Sequence, residues 1–370
     1  MTHPRPGSRR TRLALATGAA LLTTIALAVS GTATATVTGH GPPDESPAVD
    51  VPDNPDATQP AQPLTGPGGS QAAHARIKVT SGGSGPDAWF VFEPRAPRPA
   101  TAPVAVVMHG YYEFEGYDAL DELIRHTVLR GSIVIYPRWQ TGIATPCPGP
   151  YDIEPCMDSA VAGIRGALRY LEADRHRVQP RVDRVSYWGS SFGGIITANL
   201  ANRYRDLDLP KPRAIFLEDP HDGGLAGLGE PALDDSLAGI PRSTRIQCHS
   251  GADGVISGPG MELSSCNAVF PLLEHVPDRN KDLVLTHTDT HGEPDLSSEH
   301  MVCYSRPGTA DAYDYNFCWK VWDALRSSAY RHTYSPAAFG DTPQHRSLGV
   351  WSDGTPIAPL TIQDGAPIAP

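Results

Sequence analysis

The chain of 370 residues lacks several features that mark other classes of protein. It contains no CxxC pair, so a zinc ribbon or a thioredoxin-type site has little support. Beyond residue 35 it has neither an apolar run long enough to span a membrane nor a block of basic residues. Its 36 glycines and 37 prolines follow no period, which excludes collagen.

The charge balance is acidic, with 30 basic and 41 acidic residues and a net charge of −11. Such a chain is a poor candidate for binding nucleic acid or an anionic membrane surface. Its hydrophobic content of 40% is that of an ordinary globular protein. We therefore expect a monomer without a nucleic-acid partner and without a cofactor, acting on a small or polymeric substrate.

The first 35 residues have the three parts of a secretory signal. Four arginines at positions 5, 9, 10 and 12 form the basic region, and residues 13–29 form the apolar region. The sequence Ala33-Thr34-Ala35 then supplies a small-x-small cleavage site. Arg12 stands where a twin-arginine signal usually has an apolar residue, which favours the Sec route. The sequence therefore predicts a secreted protein that is not inserted in a membrane once the signal is cleaved.

Export to an oxidising compartment would explain the six cysteines. Six cysteines allow 15 pairings, and the sequence does not choose among them. Short loops cost the least entropy to close, which favours pairing between neighbours along the chain. The pairs expected on this basis are Cys147 with Cys156, Cys248 with Cys266, and Cys303 with Cys318.

The rest of the chain divides by composition into a spacer, a domain and a tail. Residues 36–74 are rich in Pro, Gly and Asp and are predicted to be a disordered spacer. Residues 75–334 alternate short apolar runs with helical patterns, which predicts a mostly parallel sheet of about eight strands with helices on both faces. Residues 335–370 are predicted to be an irregular tail. The predicted strands are 77–79, 89–92, 104–108, 133–136, 184–188, 214–217, 245–248 and 283–286, and the predicted helices are 117–129, 157–171, 193–204, 261–273 and 310–330.

A serine motif lies between a predicted strand and a predicted helix. Strand 184–188 runs into Gly189-Ser190-Ser191-Phe192-Gly193, and a helical pattern follows at once. Glycines two residues before and two after Ser191 leave room for a sharp turn that holds the hydroxyl at the edge of the sheet. The start of a helix also favours developing negative charge. Ser191 is therefore the candidate nucleophile.

These motifs and the order of elements resemble the α/β-hydrolase superfamily over about residues 75–332. His109-Gly110-Tyr111, after strand 104–108, resembles the family's oxyanion loop. The resemblance implies an α/β-hydrolase fold, and an oxyanion hole formed by the backbone N–H groups of Tyr111 and Phe192. It also implies a catalytic acid and histidine that follow the serine along the chain.

We predict Asp253 as the acid and His291 as the base. Asp253 lies in a turn after strand 245–248, and His291 precedes Gly292 after strand 283–286, where the family often has His-Gly. Several rivals stay open. The acid could lie one strand earlier, at Glu218, Asp219 or Asp222, and the base could be His287 or His300.

A metal centre is a second interpretation of the same loop. His287, Asp289 and His291 alternate as residues on one face of a strand do, so they could converge on a metal ion, with His249 or His300 completing the shell. The serine hydrolase interpretation is favoured over this one, and we expect no metal.

Aromatic side chains follow two of the predicted strands at the edge where ligands bind in such sheets. Tyr112, Phe114 and Trp139 are therefore candidates for the substrate pocket. A short insertion at 221–242 could form a modest cap. Together the motifs predict a serine hydrolase of the esterase or lipase type acting on carboxylic esters. A peptidase or acyltransferase with the same triad, or a binding protein that keeps only the fold, remain alternatives.

Overall fold

The computed structural model describes residues 53–147, 152–221, 233–253, 266–300 and 302–363. The predicted signal and the first part of the predicted spacer lie outside the described residues, as does most of the predicted cap. In the described part of the chain, no helix is both long enough and apolar enough to cross a membrane.

Nine strands form one sheet in the order β1-β2-β4-β3-β5-β6-β7-β8-β9. β1, β2 and β9 are antiparallel to their neighbours, and the five pairings from β4 through to β8 are parallel. This order, with helices on both faces, confirms the predicted α/β-hydrolase fold. The strands are β1 (Arg76–Gly82), β2 (Trp89–Arg95), β3 (Thr101–Met108), β4 (Ile133–Pro137), β5 (Gln179–Ser190), β6 (Pro212–Glu218), β7 (Arg245–Gly251), β8 (Lys281–Thr286) and β9 (Thr361–Gln363).

The central strands are buried on both faces because helices cover the sheet on either side. One apolar core lies between the sheet and helices α2, α3 and α4, and the other lies between the sheet and helices α1 and α5. The helices are α1 (Asp121–Leu129), α2 (Glu154–Glu172), α3 (Phe192–Asn202), α4 (Cys266–Val269), α5 (Trp319–Arg331) and α6 (Pro343–Arg346). A π-helical turn at Asp314–Cys318 precedes α5, so the predicted final helix is interrupted.

The predicted disulfides are confirmed. Cys147 is bonded to Cys156, Cys248 to Cys266, and Cys303 to Cys318, with Cα atoms 5.5 to 5.7 Å apart. The first two pairs lie in the core beneath α2 and α4, and the third joins the chain after β8 to the start of α5. Pairing between neighbours along the chain is what the entropy of loop closure favours.

The predicted disordered spacer is wrong from residue 53 onward. Residues 53–74 have little regular secondary structure, but they lie against the domain and bond to it. The Asn54 N–H donates to the His291 carbonyl, 2.6 Å away, and Ala57 is buried. Gln59 accepts from the Ala312 N–H, 3.0 Å away, and the Gly68 N–H donates to Asp323 at 3.1 Å. The composition of this segment shows only that it has few apolar residues. It does not show which residues of the domain bind the segment.

The tail is less irregular than predicted. It contains a 3₁₀ turn at Ser335–Ala337 and helix α6, and then adds β9 to the edge of the sheet beside β8. Leu348 and Trp351 are fully buried against the domain. Both ends of the described chain therefore pack over the same region around the loop after β8.

The disulfide between Cys303 and Cys318 should contribute measurably to stability. It closes a loop with a sequence separation of 15 residues, for which loop-closure entropy gives about 3 kcal/mol. The double variant Cys303→Ser/Cys318→Ser should lose about that much free energy of unfolding in urea. The pair Cys147→Ser/Cys156→Ser, with a separation of 9, should lose less. Equal stability of the first double variant and the parent would contradict this assignment.

Candidate active site

Ser191 lies in a strained turn between β5 and α3. Its backbone has φ 51° and ψ −125°, a region that residues other than glycine rarely occupy. The Ser191 N–H donates to the carbonyl of Glu218 at the end of β6, 2.9 Å away. This contact to the neighbouring strand holds the turn, so the serine hydroxyl stands at the C-terminal edge of the sheet.

Close packing around the turn explains its glycines. A Cβ atom on Gly189 would lie 2.3 Å from the Gly193 carbonyl oxygen, and one on Gly193 would lie 2.2 Å from the His109 carbonyl oxygen. Both distances are far inside van der Waals contact. The first glycine lets the helix start immediately above the strand, and the second lets the loop after β3 approach the helix.

His300 is the histidine that the fold brings to Ser191. Its Nε2 lies 3.0 Å from the Ser191 hydroxyl, and its Nδ1 lies 2.8 Å from Asp219 Oδ2. About nine-tenths of each of the His300 and Asp219 side chains is buried. Serine, imidazole and carboxylate thus form one hydrogen-bonded chain, with the carboxylate on the side of the ring away from the serine.

The predicted base, His291, is not near the serine hydroxyl. Its Nε2 instead bonds Asp353 Oδ2 in the C-terminal tail at 2.8 Å, and its N–H donates to Asp289. Asp353 also accepts from the Asn54 side chain in the N-terminal segment. These contacts, with that of Asn54 first, lower the pKa of Asp353. His291 therefore fastens both ends of the described chain to the domain.

The prediction failed because of how the loop after β8 folds. Asp289 and Leu296 form an isolated antiparallel bridge, so the chain turns back on itself around His291 before it returns to the edge of the sheet. After this turn the chain returns to the sheet and places His300 beside Ser191. The spacing along the sequence does not reveal such a turn.

The predicted acid, Asp253, is also displaced from the site. It is exposed and accepts a hydrogen bond from the Thr288 N–H at 3.1 Å. Hydrogen bonds from the Thr288 side chain and then from its N–H lower the pKa of Asp253. Asp219 occupies the acid position because β6 is the direct neighbour of β5, whereas β7 is one strand further away. An acid at the end of β6 is one of the alternatives that the sequence leaves open, and Glu218-Asp219 is the pattern that indicates it.

The three residues considered as metal ligands do not converge on one point. His287 bonds the Thr361 hydroxyl at 2.7 Å, and Asp289 accepts from the Ala358 N–H at 2.7 Å. With His291 on Asp353, the three side chains have separate partners. In the described ranges, no group of three or more His, Cys, Asp or Glu residues is arranged to hold a metal ion.

Two further carboxyl groups act on His300. Burial alone would lower the pKa of His300, but the hydrogen bond and charge of Asp219, with the charges of Glu218 and Glu113, raise it above its ordinary value. Glu218 is fully buried, and burial raises its pKa to about 7. Its Oε1 accepts from the Cys303 N–H at 3.0 Å and so holds the chain that follows His300.

The loop after β3 lies beside the nucleophile, as the resemblance implies. A Cβ atom on Gly110 would lie 3.2 Å from Ser191 Cβ, and the Gly110 N–H donates to the Tyr304 hydroxyl at 2.9 Å. The Tyr111 ring packs edge-on against Phe192, with centroids 5.2 Å apart. Phe192 is the first residue of α3, so its N–H has no acceptor within the helix.

The three candidate pocket residues occupy different places. Trp139 is fully buried, stacks on the His109 ring at 4.4 Å and contacts Phe192, so it supports the loop from below and does not line an open pocket. Tyr112 is 70% exposed, and Phe114 is half-buried. Both border a cavity of about 550 Å³ that Glu113 and Tyr117 also line.

Comparisons with known proteins find only distant structural similarity. No protein-family model and no curated protein matches the chain. Among solved structures, a fungal esterase from Rhizomucor miehei shares 12% identity over 71% of this chain and 87% of that one, with a TM-score of 0.48. Esterase B from Lactobacillus rhamnosis shares 14% identity over 68% and 87%, with a TM-score of 0.46.

A third structure, a mutant of esterase rPPE, shares 19% identity over 40% of this chain, with a TM-score of 0.31. The chain spans only 44% of the length of that structure. At these low similarities the assignment of the α/β-hydrolase fold rests on the strand order and on the turn at Ser191.

Packing at Gly193 gives a prediction for the site. Replacement by alanine would force the new Cβ into the His109 carbonyl, so the loop and the helix must move apart. We expect Gly193→Ala to lose about 1 to 3 kcal/mol of unfolding free energy in chemical denaturation. Gly116→Ala is the control, because nothing lies within 4 Å of its added Cβ. Equal stability of the two variants would show that the loop does not press on the helix.

Proposed function

We propose that the protein is a secreted serine hydrolase that cleaves carboxylic esters. The hydrogen-bonded chain of Ser191, His300 and Asp219 carries this proposal, because it joins a nucleophile, a base and an orienting carboxylate in the order that acyl transfer requires. The predicted leader and the three disulfides support the secreted part.

In the proposed reaction each group takes one step. His300 Nε2 takes the hydroxyl proton while Ser191 Oγ attacks the ester carbonyl. The Asp219 carboxylate stabilises the imidazolium and keeps the ring oriented. The backbone N–H groups of Phe192 and Tyr111 are the donors for the tetrahedral oxyanion, since the first has no acceptor within α3 and the second lies on the adjoining loop.

The imidazolium then protonates the departing alcohol, which leaves an ester between the acyl group and Ser191. A water molecule, deprotonated by His300, attacks this acyl-enzyme and releases the carboxylic acid. The serine recovers its proton from the imidazolium, and the site returns to its starting state.

Variants of the two histidines separate this assignment from the one predicted from sequence. Ser191→Ala and His300→Asn should each reduce turnover of p-nitrophenyl butyrate by at least about 1,000-fold, because either change removes the proton transfer. His291→Asn should keep most of the turnover, because His291 touches Asp353 and not the serine.

A fluorophosphonate probe gives an independent readout of the same panel. Mass spectrometry should locate the label on Ser191 in the parent and in His291→Asn, and labelling should be slow in His300→Asn. Full activity of Ser191→Ala, or loss of activity only in His291→Asn, would refute the proposal.

The pH profile should reflect the environment of His300. Only the neutral imidazole can accept the serine proton, so kcat/KM should fall as pH drops through the pKa of His300. Because that pKa is raised by Asp219, the midpoint should lie above about 6.5, the ordinary value for histidine. Asp219→Asn should move the midpoint to lower pH and reduce kcat. A parent midpoint at or below the ordinary value would contradict the assigned role of Asp219.

A further inference from the structure

A second cavity lies at the edge of the sheet opposite to Ser191. Pro103 near the start of β3, Ser132 directly before β4 and Arg184 in the first half of β5 line it. Parallel strands begin at one edge of a sheet and end at the other, and Ser191 directly follows the end of β5. The cavity is therefore separate from the site of the proposed reaction.

Buried and exposed residues both line this cavity, so it reaches from the surface into the protein. Ser132 is buried, and only 8% of the Arg326 side chain is exposed. Gln71 and Arg331 are exposed residues of the same lining. The volume of the cavity is about 270 Å³. A small ligand can therefore reach groups that are largely shielded from bulk water.

Positive charge dominates the lining. Four arginines face the cavity, and among the described residues that line it the acidic one is Asp323. This is a local excess of three positive charges in a chain whose net charge is −11. The four arginines are Arg130, Arg184, Arg326 and Arg331.

Asp323 is shared among several partners. Its Oδ2 lies 3.4 Å from Arg130 Nε, and its Oδ1 lies 3.9 Å from Arg326 Nη1. The same Oδ2 also bonds His126 Nε2 at 2.9 Å and accepts from the Gly68 N–H at 3.1 Å. One carboxylate cannot balance two guanidinium groups, and a buried charge such as that of Arg326 is costly without a close opposite charge.

The other two arginines have no carboxylate of their own in the described part of the chain. The acid beside Arg184 is Asp183, 4.0 Å from its Nε, and Asp183 already accepts two hydrogen bonds of 2.8 Å from Arg181. Arg331 donates to the Ser327 hydroxyl at 2.8 Å. Both guanidinium groups can therefore take a further anionic partner.

The chemistry of the lining matches a phosphate group. Guanidinium groups form paired hydrogen bonds with phosphate oxygens, and a cleft lined by one sign of charge concentrates ions of the other sign. The hydroxyls of Ser132 and Ser327 accept from Arg326 and Arg331, so each keeps its own proton to donate. A phosphate monoester carries about 1.5 to 2 negative charges near neutral pH, which offsets most of the positive excess.

We propose that this cavity binds a phosphate group, either the free ion or a monoester carried by a larger molecule. The bound phosphate bridges the N-terminal segment at Gln71, the turn before β4 and the last turns of α5. Because it joins three separate parts of the chain, it stabilises the fold. Binding is independent of the catalytic serine at the other edge of the sheet.

Calorimetric titration with inorganic phosphate at low ionic strength tests the proposal. The parent should bind with a Kd of about 1 mM or tighter, and its Tm should rise with phosphate concentration but not with NaCl at equal ionic strength. Arg184→Gln and Arg331→Gln should each weaken binding by about tenfold, because each removes a charge-assisted contact. Near-ultraviolet circular dichroism checks that both variants are folded.

Arg175→Gln is the matched control. Arg175 is exposed in the turn before β5, at the same edge of the sheet, and it does not line the cavity. This variant should bind phosphate as the parent does. Equal weakening in Arg175→Gln would show a diffuse attraction to the whole edge and would overturn the proposal.

Two further titrations locate the ligand and identify its source. Ser191→Ala should bind phosphate as the parent does, and loss of binding in that variant would place the ion at the catalytic site and overturn the proposal. Tighter binding of glycerol 3-phosphate than of inorganic phosphate supports a monoester as the ligand, and equal or weaker binding supports the free ion. Absence of binding of both compounds to the parent overturns the proposal and leaves the esterase assignment unaffected.

Discussion

The backbone at Ser191 is the constraint on which the rest of the site depends. Its positive φ costs of order 1–3 kcal/mol and persists only because the neighbouring structure holds it. That support comes from the hydrogen bond to Glu218 on β6 and from the close approach of the loop after β3 at Gly193. The same two neighbours contribute Asp219, the proposed acid at the end of β6, and the loop with Tyr111, a proposed oxyanion donor. The contacts that hold the turn therefore also bring the reacting groups together.

The sequence predicts the scaffold well because the signals for it are local. Short apolar runs mark the central strands, and the glycine spacing around Ser191 marks the turn. The short loops between neighbouring cysteines likewise favour the disulfide pairs that the structure contains. Each of these features depends on residues that are near one another along the chain, so a pattern of a few residues carries the information.

The acid and the base depend instead on how long loops return to the sheet. Choosing between Asp219 and Asp253 requires the strand order, since the nearer strand supplies the closer carboxylate. The choice between His291 and His300 depends on the bridge between Asp289 and Leu296, and no short sequence pattern predicts that bridge. The order of the segment at 53–74 is not predictable for the same reason, because several of its partners lie more than 200 residues away along the chain.

The position of one disulfide links covalent chemistry to the site. Cys303 lies three residues after His300, and its N–H is held by the buried Glu218, while its sulfur is joined to Cys318 at the start of α5. The segment that delivers the imidazole is thus fixed at one end by a crosslink that forms only under oxidising conditions. In a chain kept among cytosolic thiols, the segment that carries His300 would lose this crosslink to α5.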